Sequence, residues 1–232
     1  MMALKTGVLL SCFVLALLPF GGMSAIIAKG KWQVLFDGKS TAAWRGFKRN
    51  SFPDKGWAID NGALKTIVGG DRVDLVTKDK YKDFELELEW RVAPGGNSGV
   101  MYNVAEDLKE SWNTGPEMQV LDDTAHRDGK DPKTSAGALY ALIAPTGKTL
   151  RPVGEFNKAR LSVRNNHVEH WLNGKKIIEY DFGSDTMKNL IAESKFKEYP
   201  RFAQEQGGHI ALQHHGEEVW FRKIRIRDLS AK

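Results

Sequence analysis

The sequence has almost no cysteine. Of its 232 residues only Cys12 is a cysteine, and it lies in an apolar stretch near the N-terminus. If that stretch is removed, the remaining chain has no thiol, no disulfide and no cysteine-bound metal. A chain of this length can bury a hydrophobic core that is large enough without a cross-link, so we expect it to fold without a metal or a disulfide.

Motifs of several common enzyme classes are also missing. The sequence contains no Walker-type phosphate loop, no His-Glu-x-x-His zinc motif and no Gly-x-Ser-x-Gly elbow. The glycine-rich stretch 95–99 lies between two predicted strands, which does not fit a dinucleotide-binding loop. The net charge is +5, but there is no clustered basic patch with a recognisable nucleic-acid-binding module, so no nucleic-acid partner is predicted.

The N-terminus has the pattern of an export signal. Lys5 is followed by an apolar stretch over 8–20 and by small residues before Ala25. The apolar stretch is shorter than the ~20 residues of a comfortable transmembrane helix. Residues 1–28 are therefore predicted to be a signal peptide, and 31–232 one exported domain, periplasmic or secreted, with no stable membrane span after cleavage. An uncleaved anchor is the alternative.

The rest of the chain alternates apolar and polar residues, which is typical of β-strands. In the clearest case Phe84, Leu86, Leu88 and Trp90 share one face, and charged residues share the other. Many short strands joined by tight turns indicate an all-β antiparallel sandwich. The predicted elements are a hairpin over 57–64, strands over 84–91, 98–104, 117–121, 160–163, 168–172, 176–180, 210–214 and 219–226, and one helix over 185–196.

Polar side chains on two of these strands are candidates for a site. Glu117 and Gln119 are two residues apart, so they project side by side from one strand face. This pair could present an acid/base group next to an amide that binds a hydroxyl; a solvated outer face is the alternative. On the late strand Gln213 and His215 also share a face, for which an exposed strand end is the alternative.

The predicted strand over 168–172 offers two different faces. His170 shares parity with apolar neighbours, so it is either a hydrogen-bonded core histidine or a catalytic group. Trp171 and Glu169 point the other way and could form a platform for a sugar. The sequence leaves open which of the two faces lines a site.

Short motifs along the chain, taken in order, resemble those of the 3-keto-disaccharide hydrolase family. The motifs occupy residues 96–100, 115–122, 137–140, 154–157, 169–174, 194–196, 212–216 and 219–222. The resemblance implies a concanavalin A-like, laminarinase-like β-sandwich (jelly roll) with a short helical segment. One position departs from the family pattern: His214 stands where an Asp is expected. By strand parity it points away from Gln213 and His215, so we expect it to be peripheral.

The resemblance also implies a small carbohydrate substrate in which a ring hydroxyl has been oxidised to a ketone. The ketone acidifies the neighbouring C–H, so a base can remove that proton, the glycosidic oxygen can leave by elimination, and water can add to the product. The residues assigned to catalysis are Glu117, His170 and His215. The residues assigned to substrate binding are Arg91, Asn97, Gln119, Asp122, Tyr140, Trp171, Lys195 and Gln213. No metal ligand is assigned and no cofactor is expected to be required, while a catalytic divalent ion stays open because His and Glu also bind metals.

Two alternatives remain. Ordinary glycoside hydrolysis needs a facing pair of carboxylates, and Glu117 and Asp122 have opposite parity on their strand, which makes them poor partners. A non-catalytic carbohydrate-binding module of the same sandwich fold is the other alternative, because fold does not fix function.

Overall fold

The computed structural model describes residues 30–230. The predicted signal peptide and Cys12 lie outside the described residues. Within 30–230 no helix is both long and apolar enough to cross a membrane. The strands are β1 Gln33–Phe36, β2 Trp44–Gly46, β3 Trp57–Asp60, β4 Ala63–Thr66, β5 Leu75–Thr77, β6 Phe84–Val92, β7 Asn97–Val104, β8 Glu117–Leu121, β9 Asn157–Arg164, β10 His167–Leu172, β11 Lys175–Asp181, β12 His209–Leu212 and β13 Val219–Asp228. The helix is α1 Asp185–Ala192, and short 3-10 turns cover Ser111–Asn113, Arg127–Lys130, Pro132–Thr134 and Lys195–Glu198.

The strands form two antiparallel sheets. The larger sheet has eight strands in the order β11-β10-β9-β6-β13-β4-β3, with β1 also paired to β13. The smaller sheet has five strands in the order β2-β5-β12-β7-β8. The predicted all-β sandwich is therefore confirmed.

The core lies between the sheets and follows the predicted alternation. In β6, Phe84, Leu86, Leu88 and Trp90 are all at most 2% exposed. From the smaller sheet, inward-facing residues of β7 and β8, such as Val100, join the same apolar cluster. Full burial of one such side chain is worth roughly 1.5–3 kcal/mol, so this alternating pattern is what fixes the strand register.

The outward face of the larger sheet is charged. Arg225 and Arg227 of β13 pair with Glu87 and Glu85 of β6, and Arg222 pairs with Glu89. The basic run at the end of the chain is thus one strand whose charges are matched by the neighbouring strand.

Two differences from the sequence prediction have local causes. The helix is shorter than 185–196, because the chain leaves α1 at Glu193 and the hydroxyl of Ser194 accepts the backbone N–H of Phe196, which starts a separate 3-10 turn. The strands β1, β2 and β5, of three or four residues each, were not predicted; in strands this short a pattern is visible only when a turn or a longer alternating run adjoins it.

The outward face of the smaller sheet is only partly covered by apolar groups. Val76, Met101 and Ala211 form a small cluster there, with Phe47 and Trp112 packed against it. Next to this cluster β7 and β8 present polar side chains. The candidate site lies on this part of the sheet.

Candidate active site

A cavity of about 300 Å³ lies on the outward face of the smaller sheet. Its floor comes from β7 and β8, and its walls come from the 3-10 turns at 111–113 and 195–198, the loop around Tyr140 and the segment that follows β12. The side chains that line it are those of Asn97, Trp112, Glu117, Gln119, Tyr140, Lys195, Phe196, Glu198, Tyr199, Gln213 and His215. Six of the nine sequence-predicted site residues that are not histidines, and one of the two predicted catalytic histidines, therefore meet in one place.

Glu117 reaches the cavity floor by lying across a glycine. The pairing of β7 and β8 places Met101 opposite Glu117 and Gly99 opposite Gln119. A Cβ atom on Gly99 would lie only 1.8 Å from Oε1 of Glu117, so the carboxyl group occupies the space that a side chain at residue 99 would need. Glu117 is only 7% exposed, and its carboxyl group accepts no hydrogen bond from the described residues.

Glu117 is a weaker acid than an exposed glutamate, because its carboxyl group is buried without a compensating hydrogen bond. Burial raises the pKa of its carboxyl group to about 8, and the nearby negative charges of Asp74 and Asp128 add to the rise, while Lys195 opposes it. Asp74 itself is held by the hydroxyl of Ser111 and by the backbone N–H of His214. At neutral pH Glu117 is therefore mostly a protonated carboxylic acid.

Lys195 and Tyr140 form one side of the cavity mouth. Nζ of Lys195 lies 4.4 Å from the centre of the Tyr140 ring, a cation–π distance. The hydroxyl of Tyr140 donates to Asp128 at 3.2 Å. Partial burial lowers the pKa of Lys195, while the charges of Glu117 and Asp128 oppose that change.

His215 and Gln213 lie just beyond the end of β12. Gln213 is tied to β7 by its backbone, since its N–H donates to the carbonyl of Gly99 at 3.0 Å. Nδ1 of His215 lies 2.8 Å from Oε2 of Glu217. Because a carboxylate accepts, Nδ1 carries the proton and Nε2 of His215 keeps its lone pair.

Asn97 and His126 adjoin His215 at the edge of the cavity. The His126 ring stands perpendicular to the His215 ring, with 6.1 Å between their centres. Nε2 of His126 lies 3.3 Å from the amide nitrogen of Asn97. The Asn97 side chain is buried, and its Oδ1 has no hydrogen-bond partner among residues 30–230.

His126, His215 and Glu217 are close enough to be tested as a metal site. One ligand atom from each lies within 4.8 Å of the other two. However, the backbone N–H of Asp128 donates to Nδ1 of His126 at 3.1 Å, so the neutral ring carries its proton on Nε2 and has no lone pair there for a metal. The donor set fits a metal by distance, but the tautomer of His126 does not.

His170 lies in the core, which corrects the expectation that it shares the site with Glu117. It is fully buried, and Nε2 lies 2.9 Å from the hydroxyl of Tyr102. Nδ1 faces the carbonyl of Gly137 at 3.3 Å, so Nδ1 donates and Nε2 accepts from Tyr102. Burial lowers the pKa of His170 to about 4, which keeps the ring neutral. It is the hydrogen-bonded core histidine that strand parity left open.

Arg91, Trp171 and Asp122 also lie away from the cavity. Arg91 and Trp171 are on the outward face of the larger sheet, where Arg91 stacks on Trp220 and Trp171 is covered by Arg160 at 3.8 Å. Neither face of β10 therefore lines the cavity. The Asp122 carboxylate anchors the loop after β8 by accepting the backbone N–H groups of Gly95 and Thr124. Although burial opposes the change, the hydrogen bond from the Thr124 hydroxyl and these backbone hydrogen bonds lower the pKa of Asp122.

Several groups at the site were not predicted from the sequence, including Glu198 and Tyr199 of the cavity lining. Asp74 and His126 lie in loops, where no periodic pattern shows the direction of a side chain. Glu217 was visible only as a carboxylate two residues after His215. Trp112, which contributes to an aromatic wall with Tyr199 at a ring distance of 4.8 Å, comes from a short 3-10 turn that no pattern indicated.

His214 packs inside the protein and not in the cavity. Its ring meets Trp57 edge-on, with 5.7 Å between ring centres, and it is 4% exposed. Its position next to Gln213 and His215 in the sequence thus does not bring it to the site, as strand parity indicated.

Comparison with known proteins gives the same family as the sequence motifs. The family profile described as a 3-keto-alpha-glucoside-1,2-lyase-like domain matches residues 31–227. A 3-keto-disaccharide hydrolase from Bacteroides thetaiotaomicron is 34% identical over 225 residues, which cover 84% of this chain and 77% of the relative.

Solved structures agree with the fold. A crystal structure of a candidate glycosyl hydrolase from Parabacteroides distasonis is 31% identical, with a TM-score of 0.79 over 86% of this chain and 94% of that one. An endo-β-1,3(4)-glucanase of family GH16 aligns at 11% identity with a TM-score of 0.51, over 87% of this chain and 92% of that one, which is a likeness of fold alone. With its profile match across nearly all of the described residues and a relative at this identity, the chain belongs to the family of 3-keto-alpha-glucoside-1,2-lyase-like domains.

Proposed function

We propose that this protein cleaves glycosides whose sugar ring carries a ketone at C3, by removing the proton from C2, expelling the aglycone from C1 and adding water. The observation that carries the proposal is a pair of proton-transfer groups held in opposite states in one cavity. Glu117 is a protonated acid at neutral pH because its pKa is raised to about 8 by burial. His215 is oriented by Glu217 and keeps a free lone pair on Nε2. Such separation is how enzymes assign acid and base roles to neighbouring groups.

The proposed reaction has two stages. In the first, Nε2 of His215 takes the C2 proton, and the C–H electrons form the enolate with the C3 ketone. The enolate then re-forms the ketone and a C1–C2 double bond while the C1–O bond breaks, and Glu117 gives its proton to the departing oxygen. In the second, the Glu117 carboxylate takes a proton from water, the water oxygen adds at C1, and the His215 imidazolium returns a proton to C2. The net change is hydrolysis, and both groups recover their starting states.

The remaining lining residues suit a sugar. Gln213 offers an amide for a ring hydroxyl, and Trp112 with Tyr199 offers an apolar wall for the C–H face of a ring. The Gln119 amide already bonds the carbonyl of Thr134 and the N–H of Val120, so it offers a substrate only its remaining hydrogen-bonding capacity. The ammonium group of Lys195, which interacts electrostatically with Glu117, would stabilise the carboxylate that Glu117 becomes after it has given up its proton.

The test compares nitrophenyl 3-keto-glucosides, in both anomers, with the parent nitrophenyl glucosides. We expect release of nitrophenol from a 3-keto-glucoside, with Glu117→Gln and His215→Ala each lowering kcat by ~100-fold or more. His167→Ala, at an exposed histidine of β10, serves as the matched control and should retain wild-type kcat. Cleavage of the parent glucosides at equal or higher kcat/KM would refute the proposal.

Ordinary two-carboxylate hydrolysis remains as a second candidate because Glu198 also lines the cavity. That route requires a second carboxylate facing Glu117 across the scissile bond. It predicts cleavage of unoxidised glycosides and a loss of ~100-fold or more in Glu198→Gln. A binding module of the same fold would retain the sugar and show no turnover with any of these compounds.

A further inference from the structure

We infer that His126 and Asn97 together bind the ketone oxygen of the sugar and hold the negative charge that forms on it when the neighbouring proton is removed. This inference rests on the proposed function and adds to it the oxygen-binding half of the proton-abstraction step. Proton removal beside a ketone needs donors aimed at the oxygen as well as a base at the C–H bond.

The backbone fixes which nitrogen of His126 donates. His126 precedes the 3-10 turn Arg127–Lys130 with extended backbone angles of φ −83° and ψ 141°, and its Nδ1 accepts the N–H of Asp128 at 3.1 Å. The lone pair of Nδ1 is thus engaged, and the proton of the neutral ring is on Nε2. A neutral imidazole whose proton is fixed on one ring nitrogen can polarise a substrate carbonyl by donating to its oxygen.

A second donor lies beside the first. The Asn97 amide nitrogen is 3.3 Å from Nε2 of His126. Both atoms carry hydrogens, so neither can accept from the other, and an oxygen placed between them would accept from both. The Asn97 side chain is 4% exposed and lines the cavity, which makes it a rigid partner in a place with little water.

The Asn97 amide has two possible orientations, which differ in the hydrogen bonds that they allow. With the amide turned, Oδ1 would accept from His126, but the amide nitrogen would then take the buried position in which Oδ1 has no partner among the described residues. The first orientation leaves Oδ1 without a partner and the amide nitrogen free to donate to a substrate oxygen, whereas the turned amide leaves one atom, the nitrogen, without a partner. Only the first orientation gives two donors that point to one oxygen. Asn97→Asp distinguishes the two orientations, because an aspartate can still accept from His126 but has no N–H to donate.

The donors lie next to the proposed base. The His126 and His215 rings are perpendicular, with centres 6.1 Å apart, and Asn97 and His215 line the same cavity. In a 3-keto sugar the oxygen and the hydrogen to be removed are on adjacent carbons. A base with its donors beside it matches that spacing, while Glu117, on the cavity floor, serves the leaving oxygen.

The experiment isolates enolate formation by using a 3-keto sugar without a leaving group, such as the 3-keto derivative of 1,5-anhydroglucitol. In heavy water the wild-type protein should exchange the C2 proton for deuterium, observed by NMR. His126→Ala and Asn97→Asp should each slow this exchange by ~100- to 1,000-fold, the usual cost of losing one oxyanion donor. Glu117→Gln should slow cleavage of the nitrophenyl 3-keto-glucoside, and the matched control His167→Ala, at an exposed histidine away from the cavity, should exchange the proton at the wild-type rate.

The outcomes distinguish this inference from the proposed function. If the wild-type protein neither exchanges nor cleaves, the proposed function fails. If it exchanges and Asn97→Asp exchanges equally fast, only the oxygen-binding assignment fails. His126→Asn keeps an acceptor for the Asp128 N–H but lacks a donor of the same reach, so wild-type exchange in His126→Asn would show that His126 merely holds the loop. Saturable binding of Zn²⁺ or Mn²⁺ that is lost in His126→Ala, with exchange dependent on the added metal, would also overturn it.

Discussion

Replacing Glu117 with glutamine is expected to change how the stability of the protein depends on pH. The folded protein raises the pKa of this carboxyl group from 4.5 to about 8, so the folded state binds its proton more tightly than the unfolded chain does. The stability linked to that proton is fully present below the unfolded pKa. It is lost as the pH rises through the folded pKa, since a charged carboxylate must then stay in a buried site.

The size of the effect follows from the shift. Each unit of pKa difference corresponds to about 1.4 kcal/mol, so the free energy of unfolding should fall by about 1.4 kcal/mol per pH unit between the two pKa values. Between about pH 5 and about pH 8 the Glu117 contribution falls by roughly 3 kcal/mol. Glutamine has nearly the same shape and does not titrate, so Glu117→Gln lacks this loss.

The measurement is urea unfolding of both proteins across this pH range, followed by tryptophan fluorescence. Trp44, Trp57 and Trp90 are each 1% exposed, so their emission should report the loss of the core. The quantity of interest is the difference in unfolding free energy between the wild-type protein and Glu117→Gln. His170, whose pKa burial lowers to about 4, has the opposite dependence, with stability lost as the pH falls below its ordinary value of 6.5, but it is present in both proteins and cancels.

A difference that stays flat across the range would refute this account of Glu117. It would mean that the carboxyl group has the same proton affinity in the folded and unfolded states, and the assignment of Glu117 as a protonated acid at neutral pH would fail with it. A difference that favours the wild-type protein at higher pH would be a still stronger contradiction, because it would show a carboxylate stabilised by the fold.

Three other substitutions separate the site from the core. Gly99→Ala places a methyl carbon 1.8 Å from Oε1 of Glu117. Because the carboxyl group must then move, kcat should fall by ~100-fold. A wild-type kcat would show that the position of Glu117 is unimportant. His170→Ala removes a buried ring from the core and should lower the unfolding free energy by ~2–5 kcal/mol, with turnover per folded molecule unchanged; a stable but inactive variant would return His170 to the list of catalytic candidates. His214→Asp loses the edge contact with Trp57 and should lower the urea midpoint while kcat stays at the wild-type level, and the reverse pattern would place His214 in the site.

Strand parity predicted much of the fold because a pleat is periodic. The alternation in β6 gave its buried face, and the two-residue spacing of Glu117 and Gln119 gave their common direction. Parity also shows that His170 and Trp171 face opposite ways. It does not show which sheet a strand joins, and β10 belongs to the larger sheet, across the core from the outward face of β7 and β8 that carries the cavity. Both residues were therefore candidates that only the sheet order could remove.

The part of the site built from loops was beyond a sequence pattern. His126 takes its role from one backbone hydrogen bond and from the approach of Asn97, a residue 29 positions earlier. Asp74 acts on Glu117 across strands that are not adjacent in sequence. Lys195 and Tyr140 were named through the family motifs and not through any periodicity. Loops are where functional groups tend to lie, and they are also where local sequence least constrains direction.

The site lies on the outward face of the smaller sheet because that face has open space, whereas the space between the two sheets is filled by side chains. Large side chains fill the interior between the sheets. The imidazole that β10 contributes to this interior, that of His170, already has hydrogen-bond partners in Tyr102 and Gly137. On the outward face of the smaller sheet, Gly99 of β7 leaves an open space that the carboxyl group of Glu117 from β8 occupies. Because residue 99 has no side chain, the Glu117 carboxyl group can be buried there. This burial keeps water away from the carboxyl group and raises its pKa. A functional acid at this position thus requires a small residue at 99 as much as it requires a carboxyl group at 117.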